Sequence, residues 1–378
     1  MPTLVVLSGQ RAVAPAITWQ DSRANRWVSE RVDYHLCRHI YLKTGTRIDG
    51  RYLAPMFQYY HRTTRKACGI LSAKDFLFYN LTGLEVTDPT TASGYGLYNL
   101  HSRAWDPELC RFWDIATKQL PSIEGPSFRA PLRRRGSQLL GCPSGIPVVL
   151  GCADSVARVY AVSGVEPRTD SATVLTGTST VTMKCDTDPH WDSKTRYLVT
   201  PFVVEGLYAR ETDLLATSSA RQWVKSLCSR RGNRKTRDCL WKAVYSTAPG
   251  ANGLLFAPYL GGGEQGVLWR ASLRGTLTGL TLAHDGAQIA RALLEGMSFE
   301  IRRCLKVFEE ETSLSIVCLT GWVAEIPEEE VRLITEILHR PVHSFRIGSA
   351  SAIGAALLTG LVDGKKYFEG TKPSRLRK

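Results

Sequence analysis

The chain has 378 residues, 43% of them hydrophobic, and carries 48 Lys and Arg against 35 Asp and Glu, a formal charge of +13. That length suggests two domains, each able to bury a core, and no apolar run approaches the roughly eighteen residues needed to span a bilayer. The run Thr3 to Leu7 is too short for a signal-peptide core, so a cytoplasmic globular chain is expected, and the basic excess reads as solvated faces. It sits in Arg133-Arg134-Arg135, in Ser229 to Arg237 and in the tail, with no stacking aromatics interleaved, which argues against a nucleic-acid partner.

Thr3 to Ser8 reads as a short apolar strand, Gly9-Gln10-Arg11 as a turn and Val13 to Thr18 as the return. This hairpin ends in Trp19-Gln20-Asp21-Ser22-Arg23, which opens a helix through about Glu30. An indole beside an acid and a base makes a platform for the C–H face of a sugar, with polar groups for its hydroxyls. The alternative is that Trp19 packs and Asp21 caps the helix.

His35 and His39 share a helical face around Cys37, but no third ligand is evident and an ordinary helix surface is expected, with no metal site. The ten cysteines are scattered, with no C-x-x-C pair, and most read as small buried residues in a reducing compartment. Ile70 to Gly83 reads as a helix closed by its glycine, with Lys74-Asp75 as a capping and surface pair. Thr87 to Gly94 is a polar turn cluster of open role, and Arg129 to Cys142 a basic, glycine-bearing loop.

The stretch Gly145 to Gly177 holds the most pointed chemistry. An apolar strand, Ile146 to Leu150, ends in the small-residue turn Gly151-Cys152-Ala153, which delivers Asp154 to the start of a helix led by Ser155. A helix N-terminus favours the ionised carboxylate, so Asp154 is a candidate acceptor for a hydroxyl proton; an ordinary N-cap is the other reading. Further on, Gly177-Thr178-Ser179 separates two β-branched runs. Such a turn can aim backbone N–H groups and hydroxyls at a phosphate, although a plain hairpin turn explains it as well.

The segment 196–211 reads as a hairpin turned at Glu205-Gly206, followed by a helix from about Asp213 to Cys228; strands alternating with long helices argue an α/β protein. Pro258 to Gly266 reads as a mobile, glycine-rich surface loop. Gly286 to Glu310 has apolar residues at helical spacing, as a core helix does. The strand Leu314 to Leu319 leads to Thr320-Gly321, and the strand Pro341 to Phe345 leads to the small-residue helix Ser349 to Gly360.

Together the acid after the glycine-containing turn, the Gly-Thr-Ser turn and the segment 253–296 resemble the FGGY family of carbohydrate kinases, nearest to the xylulokinases. In that segment Gly275, Gly279-Leu280, Gln288-Ile289 and Ala292 to Glu295 carry the family's C-terminal signature. The likeness also takes in "PAITWQDSRA" and "ILSAKDFLFYNLTGLEVTDPTTASGYGLYNLHSRAWDPELC", and runs from about Ala14 to Leu361.

The resemblance implies an α/β, two-domain, actin-like and ribonuclease-H-like ATPase fold with an inter-domain cleft. It divides the chain into a sugar-binding domain at 1–164, a nucleotide-binding domain at 165–365 and a basic tail at 366–378. It implies Asp154 as the catalytic base, Gly177, Thr178, Ser179 and Gly321 as nucleotide-binding residues, and Trp19, Asp21 and Arg23 as substrate-binding residues. ATP with Mg²⁺ and a sugar are the implied ligands, a ketopentose such as D-xylulose is the expected acceptor, and a homodimer is a compatible assembly. A non-catalytic remnant that binds sugar or a partner without turnover is the alternative.

Two departures stand out. Where relatives place several glycines against the adenosine, Gly321 is followed by Trp322 and Val323. The family's opening glycine-rich hairpin, with the acid that orients Mg²⁺, has no counterpart, so an incomplete N-terminal domain with open strand edges and apolar faces is expected.

Overall fold

A computed structural model describes residues 2–9, 11–64, 69–163, 168–228, 234–262, 264, 266–321, 326–345, 347–361 and 374–375. Two compact units emerge. Among the described residues, the first gathers 2–157, 187–209 and 354–361, and the second gathers 158–186, 210–353 and 374–375. The chain therefore passes between the units several times.

In the first unit the strand Thr3–Ser8 is central. It pairs antiparallel with Gly69–Ser72, and also with the short pieces Arg11–Ala12 and Ile17–Thr18. The alternation of a strand sends Leu4 and Val6 into a core with Ile40, Tyr52, Leu53, Phe57 and Trp113, and sends Val5 and Leu7 to the opposite face against Leu71 and Tyr79. This strand is paired on both sides and buried on both faces. The helix after Trp19 runs Arg23–Ser29.

The helix Ala73–Thr82 starts from Ser72, whose hydroxyl accepts the Asp75 N–H at 3.1 Å, and stops at Gly83 in the left-handed region. The segment read as a basic loop is more ordered than expected. Arg129–Pro131 pairs antiparallel with Pro147–Val149, and Arg134–Leu140 is helical, ended by the left-handed Gly141. After Leu150 the turn 151–153 opens the helix Asp154–Ser163. Gly354 lets a second helix meet this one: a Cβ on Gly354 would stand 1.8 Å from the Ala157 carbonyl oxygen.

The second unit is built on a mixed sheet. Tyr208–Leu214, Thr180–Asp186, Ser171–Thr176, Ile316–Thr320 and Val342–Phe345 follow one another across it, and the last three run parallel. Parallel neighbours need crossover helices, here Gly286–Glu309 and Glu328–Leu338 among others. The long helix buries fifteen residues and opens with a capping box between Asp285 and Gln288, which gives that signature glutamine a structural role. Gly279 needs its left-handed φ of 84°, and a Cβ there would lie 2.4 Å from the Gly253 carbonyl oxygen. In the tail, Ser374–Arg375 adds an antiparallel partner to Val342–Phe345.

Pro258 to Gly266 is not the unpacked loop its glycines suggest. The Glu264 side chain is buried and accepts N–H bonds from Val267, Leu268 and Trp269 at 2.6–2.8 Å, which folds the backbone around one carboxylate. Eight described cysteines are free thiols, and Cys110, Cys152, Cys185 and Cys304 are buried. None of the described helices is long and apolar enough to cross a membrane.

Candidate active site

Asp154 lies in the first turn of its helix and is exposed. The Ala157 N–H donates to the Ala153 carbonyl at 2.9 Å, so Ala153 holds the cap position and Asp154 is the first residue inside the helix. The N-cap reading of Asp154 is thereby set aside. The turn itself is pinned, since the Ala153 N–H donates to Thr90 Oγ1 at 2.8 Å.

Behind Thr90 lies a polar network that includes Lys74-Asp75, the pair read from sequence as capping and surface. The Thr90 hydroxyl and N–H both donate to Asp88 Oδ2. Asp88 Oδ1 lies 3.0 Å from Lys74 Nζ, which lies equally close to Asp75 Oδ1. Tyr95 completes the group by donating its hydroxyl to Asp75 Oδ2 at 3.0 Å and accepting the Ser72 N–H. Asp75 and Asp88 are both 0% exposed, so Lys74-Asp75 is not a surface pair. Burial raises the Asp75 carboxyl above its ordinary range, against the pull of Lys74. Burial also works against the Lys74 ammonium, but Asp88 and Asp75 outweigh it and raise its pKa.

In the second unit Ser171–Thr176 and Thr180–Asp186 form a hairpin with Thr176 opposite Thr180, and Gly177, Thr178 and Ser179 make its turn. Both leading carbonyls of the turn are committed. Gly177 O accepts from the Ser218 N–H and the Thr217 hydroxyl at 3.1 Å each, and Thr178 O accepts from the Thr217 N–H at 3.0 Å. In a trans peptide the N–H opposes the C=O, so the N–H groups of Thr178 and Ser179 face away from Thr217 and Ser218. A small turn with two outward backbone N–H groups and two hydroxyl side chains is of the kind that can receive an anion.

Gly321 follows the strand Ile316–Thr320, and the register pairs Leu175 with Thr320, so the Gly-Thr-Ser turn and Gly321 begin at neighbouring strand ends. Trp322 and Val323 lie outside the described residues. Arg158, which sequence reasoning missed, ties those strand ends together through its Nη2 and the Thr176 and Thr320 carbonyls. A charge in the otherwise apolar run Val156 to Val162 was the available signal, because a buried guanidinium needs partners.

A small cleft opens beside the turn, walled by Thr176, Thr180, Thr217, Ser218, Arg221 and Glu330. Arg221 and Glu330 are ion-paired, and the Tyr245 hydroxyl donates to Glu330 at 2.8 Å. Burial and the neighbouring Glu330 raise the Tyr245 phenol well above its ordinary value.

Trp19 is half-buried in the turn after Ile17–Thr18. Asp21 and Arg23 hold each other: Arg23 Nε donates to both Asp21 oxygens at 2.9 Å, and the Arg23 N–H donates to Oδ1 at 3.0 Å. The Arg23 hydrogen bonds hold the Asp21 carboxyl below its ordinary range. Trp19, Asp21, Arg23 and Asp154 thus belong to the first unit, and Gly177, Thr178, Ser179 and Gly321 to the second.

The profile of the N-terminal domain of the FGGY family of carbohydrate kinases matches residues 2–160, and that of the C-terminal domain matches 172–361. The chain belongs to the FGGY family of carbohydrate kinases. It is 26% identical to a gluconokinase of Bacillus subtilis, over 95% of this chain and 73% of that protein. To a glycerol kinase of Roseobacter denitrificans it is 27% identical, over 93% of this chain and 72% of the other. Among solved structures it superposes on a xylulose kinase of Lactobacillus acidophilus with a TM-score of 0.87 at 23% identity, over 99% of this chain and 77% of that one. The fold is thus the two-domain, actin-like architecture of the FGGY kinases, which are phosphotransferases.

Proposed function

We propose that this FGGY kinase transfers the γ-phosphoryl group of ATP to a hydroxyl of a sugar or polyol, with a ketopentose such as D-xylulose as the first candidate acceptor. The observation that carries the reading is Asp154: an exposed carboxylate in the first turn of a helix, on a turn fixed from behind by Thr90. Asp154 accepts the proton of the attacking hydroxyl while that oxygen bonds to the γ-phosphorus and the bond to the departing ADP oxygen breaks. The N–H groups of Thr178 and Ser179, with their hydroxyls, hold phosphate oxygens, and Gly321 allows close approach of the nucleotide.

Trp19 shelves the sugar ring face, and the Asp21–Arg23 pair meets its hydroxyls. Magnesium enters as part of the nucleotide substrate, since it is commonly held by substrate phosphates with one or two carboxylates. Among the described residues no three His, Cys, Asp or Glu side chains converge as a protein-built cage would require.

The test is a coupled ADP-release assay with D-xylulose, D-ribulose, D-gluconate and glycerol, the last two taken from the names of the relatives. Acceptor-dependent ADP release that falls about 10²- to 10⁴-fold in Asp154→Asn, with an unchanged melting temperature, is the expected result. Calorimetric sugar binding without turnover by the parent chain would replace the kinase reading with a binding-only one.

A further inference from the structure

The buried group around Lys74 has more order than a structural ion pair requires, and its outer end reaches the turn that carries Asp154. The direction of each hydrogen bond is fixed by chemistry. The Ala153 N–H can only donate, so Thr90 Oγ1 is its acceptor at 2.8 Å. The Thr90 hydroxyl must then spend its own hydrogen elsewhere, and Asp88 Oδ2 receives it. Asp88 Oδ2 also accepts the Thr90 N–H at 2.9 Å, so the backbone and side chain of Thr90 are both held by one carboxylate oxygen.

Lys74 Nζ, 3.0 Å from the other oxygen of Asp88, fixes the rotation of that side chain. Lys74 is also set by Asp75, and Asp75 by Tyr95, so the chain of contacts ends in the core rather than in solvent. Pro89 at the first position of the short helix Pro89–Ala92 pre-sets the backbone that presents Thr90.

We propose that Thr90, oriented by Asp88 and Lys74, is a positioning residue for phosphoryl transfer: its hydroxyl anchors the Ala153 N–H and thereby fixes where Asp154 stands. The inference rests on the reading of Asp154 as the base. Asp154 follows Ala153 directly, so the point at which the Ala153 N–H is held sets where the carboxylate leaves the turn. A base displaced by an ångström loses its alignment with the hydroxyl it must deprotonate, while sugar and nucleotide contacts elsewhere are untouched. The group therefore acts on turnover and leaves ground-state binding alone.

The experiment uses the full chain with the best acceptor from the panel, comparing parent, Thr90→Val, Thr90→Ser, Asp154→Asn and the double variant Thr90→Val/Asp154→Asn. Valine keeps the shape and removes the hydroxyl. The expected result is a drop in kcat of about tenfold to a hundredfold in Thr90→Val, with KM for either substrate within about threefold, and recovery in Thr90→Ser. The double variant should be no slower than Asp154→Asn alone, because the position of an absent carboxylate is irrelevant. Hydrogen exchange of the peptide covering Leu150 to Ala157 supplies a readout without turnover, and it should quicken in Thr90→Val and stay parental in Thr90→Ser.

Parental kcat in Thr90→Val, unchanged exchange, or losses in the double variant that multiply would each overturn the positioning role. A parental rate in Asp154→Asn would instead overturn the reading of Asp154, whatever Thr90→Val does.

Discussion

Arg158 Nη2 lies 3.0 Å from the carbonyl oxygen of Thr320, and it reaches the Thr176 carbonyl at the same distance. One buried guanidinium thus clasps the ends of two parallel strands, at the residues immediately before Gly321 and Gly177. Arg158→Met keeps the apolar stem and removes the guanidinium bond from both carbonyls, of which the Thr320 oxygen keeps the Thr176 hydroxyl at 3.2 Å. The expected cost is about 2–4 kcal/mol of stability, read from urea unfolding, with a rise in KM for ATP and little change in KM for the sugar. An unshifted midpoint would show that the clasp contributes nothing.

Gly354 and Ala157 make the second close relationship. With only 1.8 Å between a prospective Cβ and the Ala157 carbonyl oxygen, Gly354→Val forces backbone apart rather than a flexible side-chain tip. A loss of about 1–3 kcal/mol is expected, visible as a lowered melting temperature, with Gly354→Ala falling between the two. A valine variant as stable as the parent would contradict the packing described.

Asp192 sets an acid limit. Burial opposes its charge, but hydrogen bonds from the Arg196 side chain and backbone outweigh burial and hold the folded pKa below the ordinary value. A carboxyl with a lowered folded pKa contributes stability above its unfolded value of about 3.9, and the contribution is lost as pH falls through the folded pKa. Asp192→Asn should therefore be about 1–3 kcal/mol less stable than the parent at neutral pH, and the gap should close in strong acid. Urea midpoints across that range measure it; a gap independent of pH would refute the assignment.

Glu264 holds three consecutive N–H groups, and Glu264→Ala abandons all of them. We expect about 1–3 kcal/mol of destabilisation and faster limited proteolysis within Pro258 to Arg270, with Glu264→Gln milder because an acceptor oxygen remains. Parental cleavage rates in the alanine variant would count against the carboxylate as organiser of that segment.

Much of the fold was legible because it is written in local patterns. The hairpin after Thr3, the helix from Arg23, the turn at Gly177 and the long helix from Gly286 each follow from period, punctuation and capping residues within a few positions. The family signature then supplied the architecture. What local pattern did not carry was burial decided by distant segments. Lys74-Asp75 looks like any charged helix start until Asp88 and Tyr95 close over it. The carbonyls that Arg158 serves lie 18 and 162 residues away. Gly266 misled as a sign of looseness, since a Cβ there would lie 2.6 Å from the buried Glu264 carboxylate. The arrival of Asp154 at a helix start was legible, yet the hydroxyl that pins its turn came from a cluster whose role the sequence left open.

Among the described residues the four buried thiols divide evenly, Cys110 and Cys152 in the first unit and Cys185 and Cys304 in the second. Burial suppresses the thiolate in each, raising Cys110 to about 11 and Cys185 and Cys304 to about 12, with Cys152 also raised. Alkylating reagents therefore meet these sulfurs only after the surrounding structure opens. Timed labelling with mass-spectrometric readout turns the native cysteines into paired clocks, one pair for each half of the enzyme, with no engineered probe.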